Sequence, residues 1–114
     1  LSQHQSIREN IAKSYAELEM ARLLVHKTCW HIDHHGVKPS IELISATKIS
    51  VPLMIQAIID RCMQMHGAGG LTEDWCMAEQ FNYARWCRQA DGPDEVHQMA
   101  LGKRIIQQYA DARA

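Results

Sequence analysis

One carboxylate in this chain sits where a base could work. Asp91 lies in the segment Gln89-Ala90-Asp91-Gly92-Pro93-Asp94-Glu95-Val96-His97, directly ahead of a helix-forming run. Gly92 permits an open backbone, and Pro93 suits the first helical position, where no N–H is needed. Asp94 and Glu95 fall in the first turn, where acidic side chains favour the helix dipole. Two readings of Asp91 follow. It caps the helix that Pro93 opens, or it is a general base held at the mouth of a pocket.

A second segment carries chemistry of a different kind. Gln64-Met65-His66-Gly67-Ala68-Gly69-Gly70 ends a long apolar stretch and holds three of the chain's six glycines. Glycines this dense mark backbone that turns sharply or approaches something closely. The loop reads as a glycine-rich helix C-cap or as a run of N–H groups that meets a phosphate. It lacks the lysine and the spacing of a P-loop, and no strand precedes it.

The elements that must position these segments are helical. Ile7, Ile11, Leu18, Ala21 and Val25 recur at helical spacing, which predicts one amphipathic helix from residue 3 to about 34. Gly36 and Pro39 end it. Ser40 stands where it could cap a second helix, from about 41 to 66, apolar almost all round after Ile49 and so expected at the centre. Pro52 should kink that helix, or two helices meet near Ser50. Thr72 or Asp74 could cap a shorter helix from about 74 to 87. Its aromatic residues Trp75, Phe81, Tyr83 and Trp86 read as core. The last helix runs from Pro93 to about Ala112, with Val96, Met99, Ala100, Ile105 and Ile106 as apolar positions. No alternating strand pattern occurs. The expected fold is all-α, an antiparallel bundle of three long helices and one short helix.

His31, Asp33, His34 and His35 cluster at the end of the first helix. His31 and His35 have the i, i+4 spacing that binds a metal when a third ligand arrives from elsewhere. They equally suit a solvated helix C-terminus, where imidazolium favours the dipole. The latter is preferred, and no metal site is expected. Cys29, Cys62, Cys76 and Cys87 show no Cys-x-x-Cys spacing and read as reduced thiols. Twelve basic against thirteen acidic residues give a formal charge of −1, with no basic block to hold nucleic acid. A length of 114 residues is that of one domain. No signal peptide is apparent. The apolar stretch Ile49 to Ile59, interrupted by Ser50, Pro52 and Gln56, reads as too short and too polar to span a bilayer.

Taken together, the loop and the turn resemble the C-terminal helical domain of the acyl-CoA dehydrogenase family. There a Gln-x-x-Gly-Gly-x-Gly loop precedes a short helix, a Glu-Gly-Thr turn and the last helix. Gln64, Gly67, Ala68 and Gly70 fall on the loop pattern, and Asp91 and Gly92 on the Glu-Gly pair. Gln3-His4-Gln5, followed by Ile7 and Ile11, is similar to the start of the domain's long helix. The resemblance covers nearly all of the chain. The Asp-Gly-Pro-Asp-Glu-Val-His form is similar to a branch that carries Asp, not Glu, as the base.

The resemblance implies α,β-dehydrogenation of an acyl-CoA thioester, with FAD as cofactor and electron-transfer flavoprotein as acceptor. Asp91 would be the α-proton base, in a site dry enough to raise a carboxylate's pKa, and Gly92 would let the thioester approach the backbone. His4, Gln5, Gln64, Met65, His66, Gly67 and Ala68 would contact FAD, the loop residues that of a neighbouring subunit. Pro93, Asp94 and Glu95 would touch the FAD of their own subunit. Four departures stand out. Asp91 is shorter than Glu by about 1.5 Å, so the turn or the substrate must shift. Ala68 replaces a glycine, Pro93 a hydroxyl residue and Glu95 an amide. A carboxylate at position 95 repels pyrophosphate or else hydrogen-bonds ribose.

The resemblance further implies partner domains and an Arg-x-x-Phe-Gly segment ahead of Leu1. Residues 1–114 are therefore expected to be the C-terminal bundle of a longer flavoenzyme. Alone it should be inactive, bind FAD weakly and self-associate. The parent would be a homo-oligomer, dimer or tetramer, intracellular, mitochondrial or peroxisomal in a eukaryote and cytoplasmic in a bacterium. Two alternatives are a non-catalytic helical scaffold and a related flavoprotein oxidase or hydroxylase.

Overall fold

A computed structural model describes residues 1–113. Four helices follow in chain order: α1 (Gln5–His35), α2 (Ile41–His66), α3 (Met77–Trp86) and α4 (Asp94–Asp111). Short 3₁₀ turns lie at Lys38–Ser40, Gly67–Leu71 and Glu73–Trp75. Among the described residues there is no strand, and the all-α reading holds.

α2 is the hub. The other three helices each pack on it and make no close backbone approach to one another among the described residues. Side-chain pairs give the register. The Arg61 guanidinium meets Glu17 and donates to Ser14 Oγ at 3.1 Å. Further along, the Thr28 and Thr47 hydroxyls share a hydrogen bond at 2.8 Å. High numbers on α2 thus meet low numbers on α1, so the two run antiparallel. Arg88 meets Gln56, and Gln108 Nε2 donates to Glu42 Oε1 at 2.6 Å, so α4 also descends along α2.

Local chemistry explains most boundaries. Gly36, at φ 82, ends α1 and returns its N–H to Ile32 O. α2 runs unbroken through Pro52, so the reading of two helices meeting near Ser50 does not hold. Ser40 stands at the start of α2 as expected but does not cap it. Its hydroxyl donates to Gly36 O at 2.6 Å and accepts from His31 Nδ1 at 2.8 Å. Nor does Thr72 or Asp74 cap α3. The α-helix begins only at Met77, after Cys76 takes a left-handed turn with φ 50.

The core is thinner than the helical periods suggest. Among the described residues the buried apolar side chains are Ala21, Ala84 and Pro52, while Trp75, Tyr83 and Trp86 are 55%, 61% and 56% exposed. The aromatic residues of the third segment, Phe81 aside, are therefore surface and not core. The apolar positions of α4 are likewise open: Met99 is 71% and Ile106 72% exposed. Three helices around one hub cannot close a core, because each keeps a face that no neighbour covers. α2 is central, as expected, yet mostly half-buried. With its flanking turns it is also longer and more apolar than Ile49–Ile59 implied. An 18-residue stretch within Lys38–Leu71 reaches a mean hydropathy of 1.4, enough by length and composition alone to cross a membrane, a test that the central helix of a bundle also meets. The four cysteines are all unpaired.

Candidate functional site

The Asp91 turn is built between α3 and α4. Asp91 is exposed and left-handed, with φ 55, and Gly92 follows at φ 103. Asp tolerates this region better than most residues, and Gly92 adopts it without penalty. A Cβ on Gly92 would also lie 3.0 Å from His97 Nε2. Asp91 does not cap α4. The N-cap is Pro93, extended with ψ 160, and no side chain bonds the helix start. The helix therefore opens at Asp94, one residue later than the proline suggested. Among the described residues the Asp91 carboxylate accepts no hydrogen bond, so it stays free for other chemistry.

Asp91 lines an open cleft of about 290 Å³ between α2 and the end of α3. Lys48, Val51 and Pro52 form one side, and Trp86, Cys87 and Ala90 the other. The Lys48 ammonium donates to the Cys87 carbonyl and so pins the last turn of α3 to α2. The cleft is largely apolar apart from Asp91 and Lys48. This chain alone leaves it open to water.

The resemblance implies that Asp94 touches FAD, but its carboxylate is taken up inside the chain. Asp94 is 5% exposed, and its Oδ2 accepts from Arg88 Nε at 2.7 Å. Arg88 Nη1 also donates to Gln56 Oε1 at 3.0 Å. Pro93 and Glu95 do face outward.

The glycine loop lies elsewhere. Gly67, at φ 59, turns the chain out of α2 and donates its N–H to Gln64 O. Gly70 is buried, and a Cβ there would stand 2.6 Å from Met63 O. Gln64, His66 and Ala68 are exposed, Met65 half-buried. His66 Nδ1 donates to Cys62 O at 2.8 Å, and its ring lies 5.4 Å from that of Trp75. His4 and Gln5 sit exposed at the start of α1. Gln5 Nε2 donates to Glu9 Oε1 at 2.8 Å. The antiparallel register places this start at the same end of the molecule as the loop. The Asp91 turn is level with Val51, about 24 Å along α2 from Gly67 at 1.5 Å per residue. The structure thus gathers the predicted residues into two groups, not one.

At the opposite end, His31 is tied to Ser40, while His34 donates to Trp30 O at 2.7 Å and stacks on its ring. His31 and His35 have ring centroids 4.5 Å apart. No three metal-ligating side chains converge among the described residues. The sequence reading missed Arg88, Gln56, Lys48 and His97. Arg88, Gln56 and Lys48 have no spacing that pairs with Asp91 or Asp94 along one helix. Only His97, printed within the turn's own motif, offered a signal.

The chain is thus a bundle packed on one central helix, with a glycine loop at its end and a carboxylate-Gly turn on its flank. Comparison with known proteins bears on that outline directly. The family described as acyl-CoA dehydrogenase, C-terminal domain, matches residues 1–106. Acyl-CoA dehydrogenase family member 10 of Mus musculus is 44% identical over 103 residues, 90% of this chain and 10% of that protein. Acyl-CoA dehydrogenase family member 11 of Rattus norvegicus is 36% identical over 110 residues, 96% of this chain and 14% of that protein. A solved structure from Mycobacterium abscessus, described as of acyl-CoA dehydrogenase type, superposes with a TM-score of 0.87 at 37% identity. It covers 90% of this chain, which spans 25% of that one. The chain belongs to the acyl-CoA dehydrogenase family, in the region of its C-terminal domain. It spans a quarter or less of the length of these relatives.

Proposed function

We propose that the chain works as the C-terminal domain of an FAD-dependent acyl-CoA dehydrogenase, with Asp91 as the base that removes the α-proton of an acyl-CoA thioester. One observation carries the reading. Asp91 stands at the apex of a left-handed turn, its carboxylate free of internal hydrogen bonds, on an apolar cleft. A cap would have spent that carboxylate on backbone N–H groups.

Asp91 would take the α-hydrogen as a proton while the C–H electron pair forms the new double bond. FAD, held by the glycine-loop residues and by Pro93 and Glu95, would supply the acceptor for the hydride that leaves the β-carbon. The cleft is exposed in this chain, so substrate and partner domains would have to exclude water before the base is fully effective. Gly92 offers no Cβ to block a thioester's approach.

The residues of the glycine loop fit a flavin adenine dinucleotide. A Cβ on Gly67 would meet nothing within 4 Å, so the backbone is open there. Gln64 supplies a neutral amide, and His66 keeps Nε2 free because Nδ1 is used on Cys62 O. Ala68 adds only a methyl to that rim. Pro93 and Glu95 would meet the flavin of their own subunit, Glu95 through ribose hydroxyls. The buried Asp94 would act only through its backbone. Met65, His4 and Gln5 complete the group at the loop end.

The proposal extends to electron-transfer flavoprotein as acceptor, a homo-oligomeric parent, and an intracellular site, mitochondrial or peroxisomal in a eukaryote. The uncovered apolar residues of α1, α3 and α4 support burial against other protein. The test is Asp91→Asn in the complete flavoenzyme. Flavin reduction by acyl-CoA should fall about 100- to 10,000-fold, the range of general base catalysis, with FAD retained. Reduction at the unmutated rate would leave the chain's role to the scaffold reading.

A further inference from the structure

We propose that Arg88, Asp94 and His97 form a clamp that aims the Asp91 carboxylate, acting as positioning residues for the base. The inference rests on Asp91 being that base. The turn from Arg88 to Asp94 is closed twice across the same two residues. Asp94 N–H donates to Arg88 O at 3.2 Å, and Arg88 Nε donates to Asp94 Oδ2 at 2.7 Å. Arg88 Nη1 then bolts the closure to Gln56 on α2. From the other side, one turn into α4, His97 Nε2 donates to Asp91 O at 3.2 Å.

That last bond acts on the right atom. The Asp91 carbonyl is joined to the Cα that carries the carboxylate, so holding it restricts the direction of the side chain. The restraint is needed because Asp91 and Gly92 both sit at positive φ, 55 and 103. A non-glycine residue stays in such a conformation only where its surroundings hold it. His97 also fills the space beside Gly92, where a Cβ would meet its ring.

The closure does not look built for stability alone. Asp94 Oδ1 is buried without a partner. A buried ion pair with an unsatisfied oxygen is weak stabilisation, since desolvation offsets much of the attraction. Its geometric effect is plain: it sets the width of the turn at whose apex Asp91 stands. The shorter side chain of Asp relative to Glu supplies the need. A base that falls short by about 1.5 Å must be carried forward by its backbone.

The experiment uses the complete flavoenzyme with His97→Phe, which keeps a ring and removes the donor, and His97→Gln, which keeps an N–H. Flavin reduction is followed at saturating acyl-CoA, with and without deuterium at the α-carbon, beside FAD content and thermal midpoint. His97→Phe should reduce flavin about 10- to 100-fold more slowly, the effect of a displacement on the order of 1 Å. The α-deuterium isotope effect should rise, FAD content should hold, and His97→Gln should recover most of the rate. Should His97→Phe not fold, His97→Asn serves in its place, and its shorter donor should give an intermediate rate. The clamp is overturned if the donor-free variant reduces flavin at the unmutated rate, if its loss only tracks lost FAD, or if His97→Gln is equally slow. Asp91→Asn in parallel separates the two ideas. If it is slow while His97→Phe is normal, only the clamp fails; if it reduces flavin normally, the base assignment fails and the clamp with it.

Discussion

The glycine loop and the Asp91 turn are both helix exits with positive φ, yet they are held by opposite means. Gly67–Leu71 is held by its own neighbourhood: Gly70 presses on the Met63 backbone, Thr72 bonds back to Gly69, and Trp75 closes over His66 and Gly69. The Asp91 turn is held by side chains from three helices or their ends: Gln56 from α2, Arg88 after α3, Asp94 and His97 from α4. A locally held turn can be read as a string of residue types. A turn held from afar depends on the bundle being assembled.

The largest break between the two should come at Asp91. Asp91→Asn preserves the left-handed turn, since Asn tolerates it, and removes no internal hydrogen bond. Stability should stay within about 0.5 kcal/mol by denaturant titration, while flavin reduction in the complete enzyme falls by orders of magnitude. No substitution of an exposed loop residue such as Ala68 should reproduce that pattern; its effect would appear in flavin retention.

Alanine at two glycines sharpens the contrast. At Gly70 the new Cβ meets immobile backbone at 2.6 Å, so the domain should lose about 1–3 kcal/mol, the usual range for overpacking. Gly92→Ala should cost about 1–3 kcal/mol through backbone strain at φ 103. Only Gly92→Ala should also slow proton abstraction once FAD occupancy is matched. Equal kinetic effects from the two would erase the distinction between a packing glycine and a site glycine.

Ion pairs mark the smaller end of the scale. Asp94→Ala strands Arg88, whose side chain is 27% exposed, and should cost about 2 kcal/mol, below the 3–5 of a fully buried pair. Glu19→Ala removes a partner of Arg22 on the open face of α1, with side chains 36% and 57% exposed, and should change stability by less than about 0.5 kcal/mol. A thermal shift for Glu19→Ala as large as that for Asp94→Ala would show that burial is not what separates the pairs.

Much of the fold was legible because helices are local. Hydrophobic spacing marks α1 and α4, Gly36 and Gly67 mark the ends of α1 and α2, and the apolar breadth of α2 marks the hub. The same locality made the two glycine segments visible. Trp75, Tyr83 and Trp86 were misread because helical spacing says which face is apolar, not whether a neighbour covers it. The Ser40 hydroxyl does not cap α2 because it is spent on the Gly36 carbonyl four residues back and on His31, which the corner between α1 and α2 brings within reach.

The sequence by itself determined the helical class, the order of elements, the two glycine turns and the presence of an acid at the second turn. Those depend on backbone preference and spacing over a few residues. Tertiary structure alone decided that Asp91 stays free while Asp94 is bound, that His97 and Arg88 hold the turn, and that the turn and the loop lie far apart along α2. Each of these is set by side chains from different elements meeting at hydrogen-bond distance. That meeting is fixed by how the helices pack on α2, and no spacing along the chain encodes it.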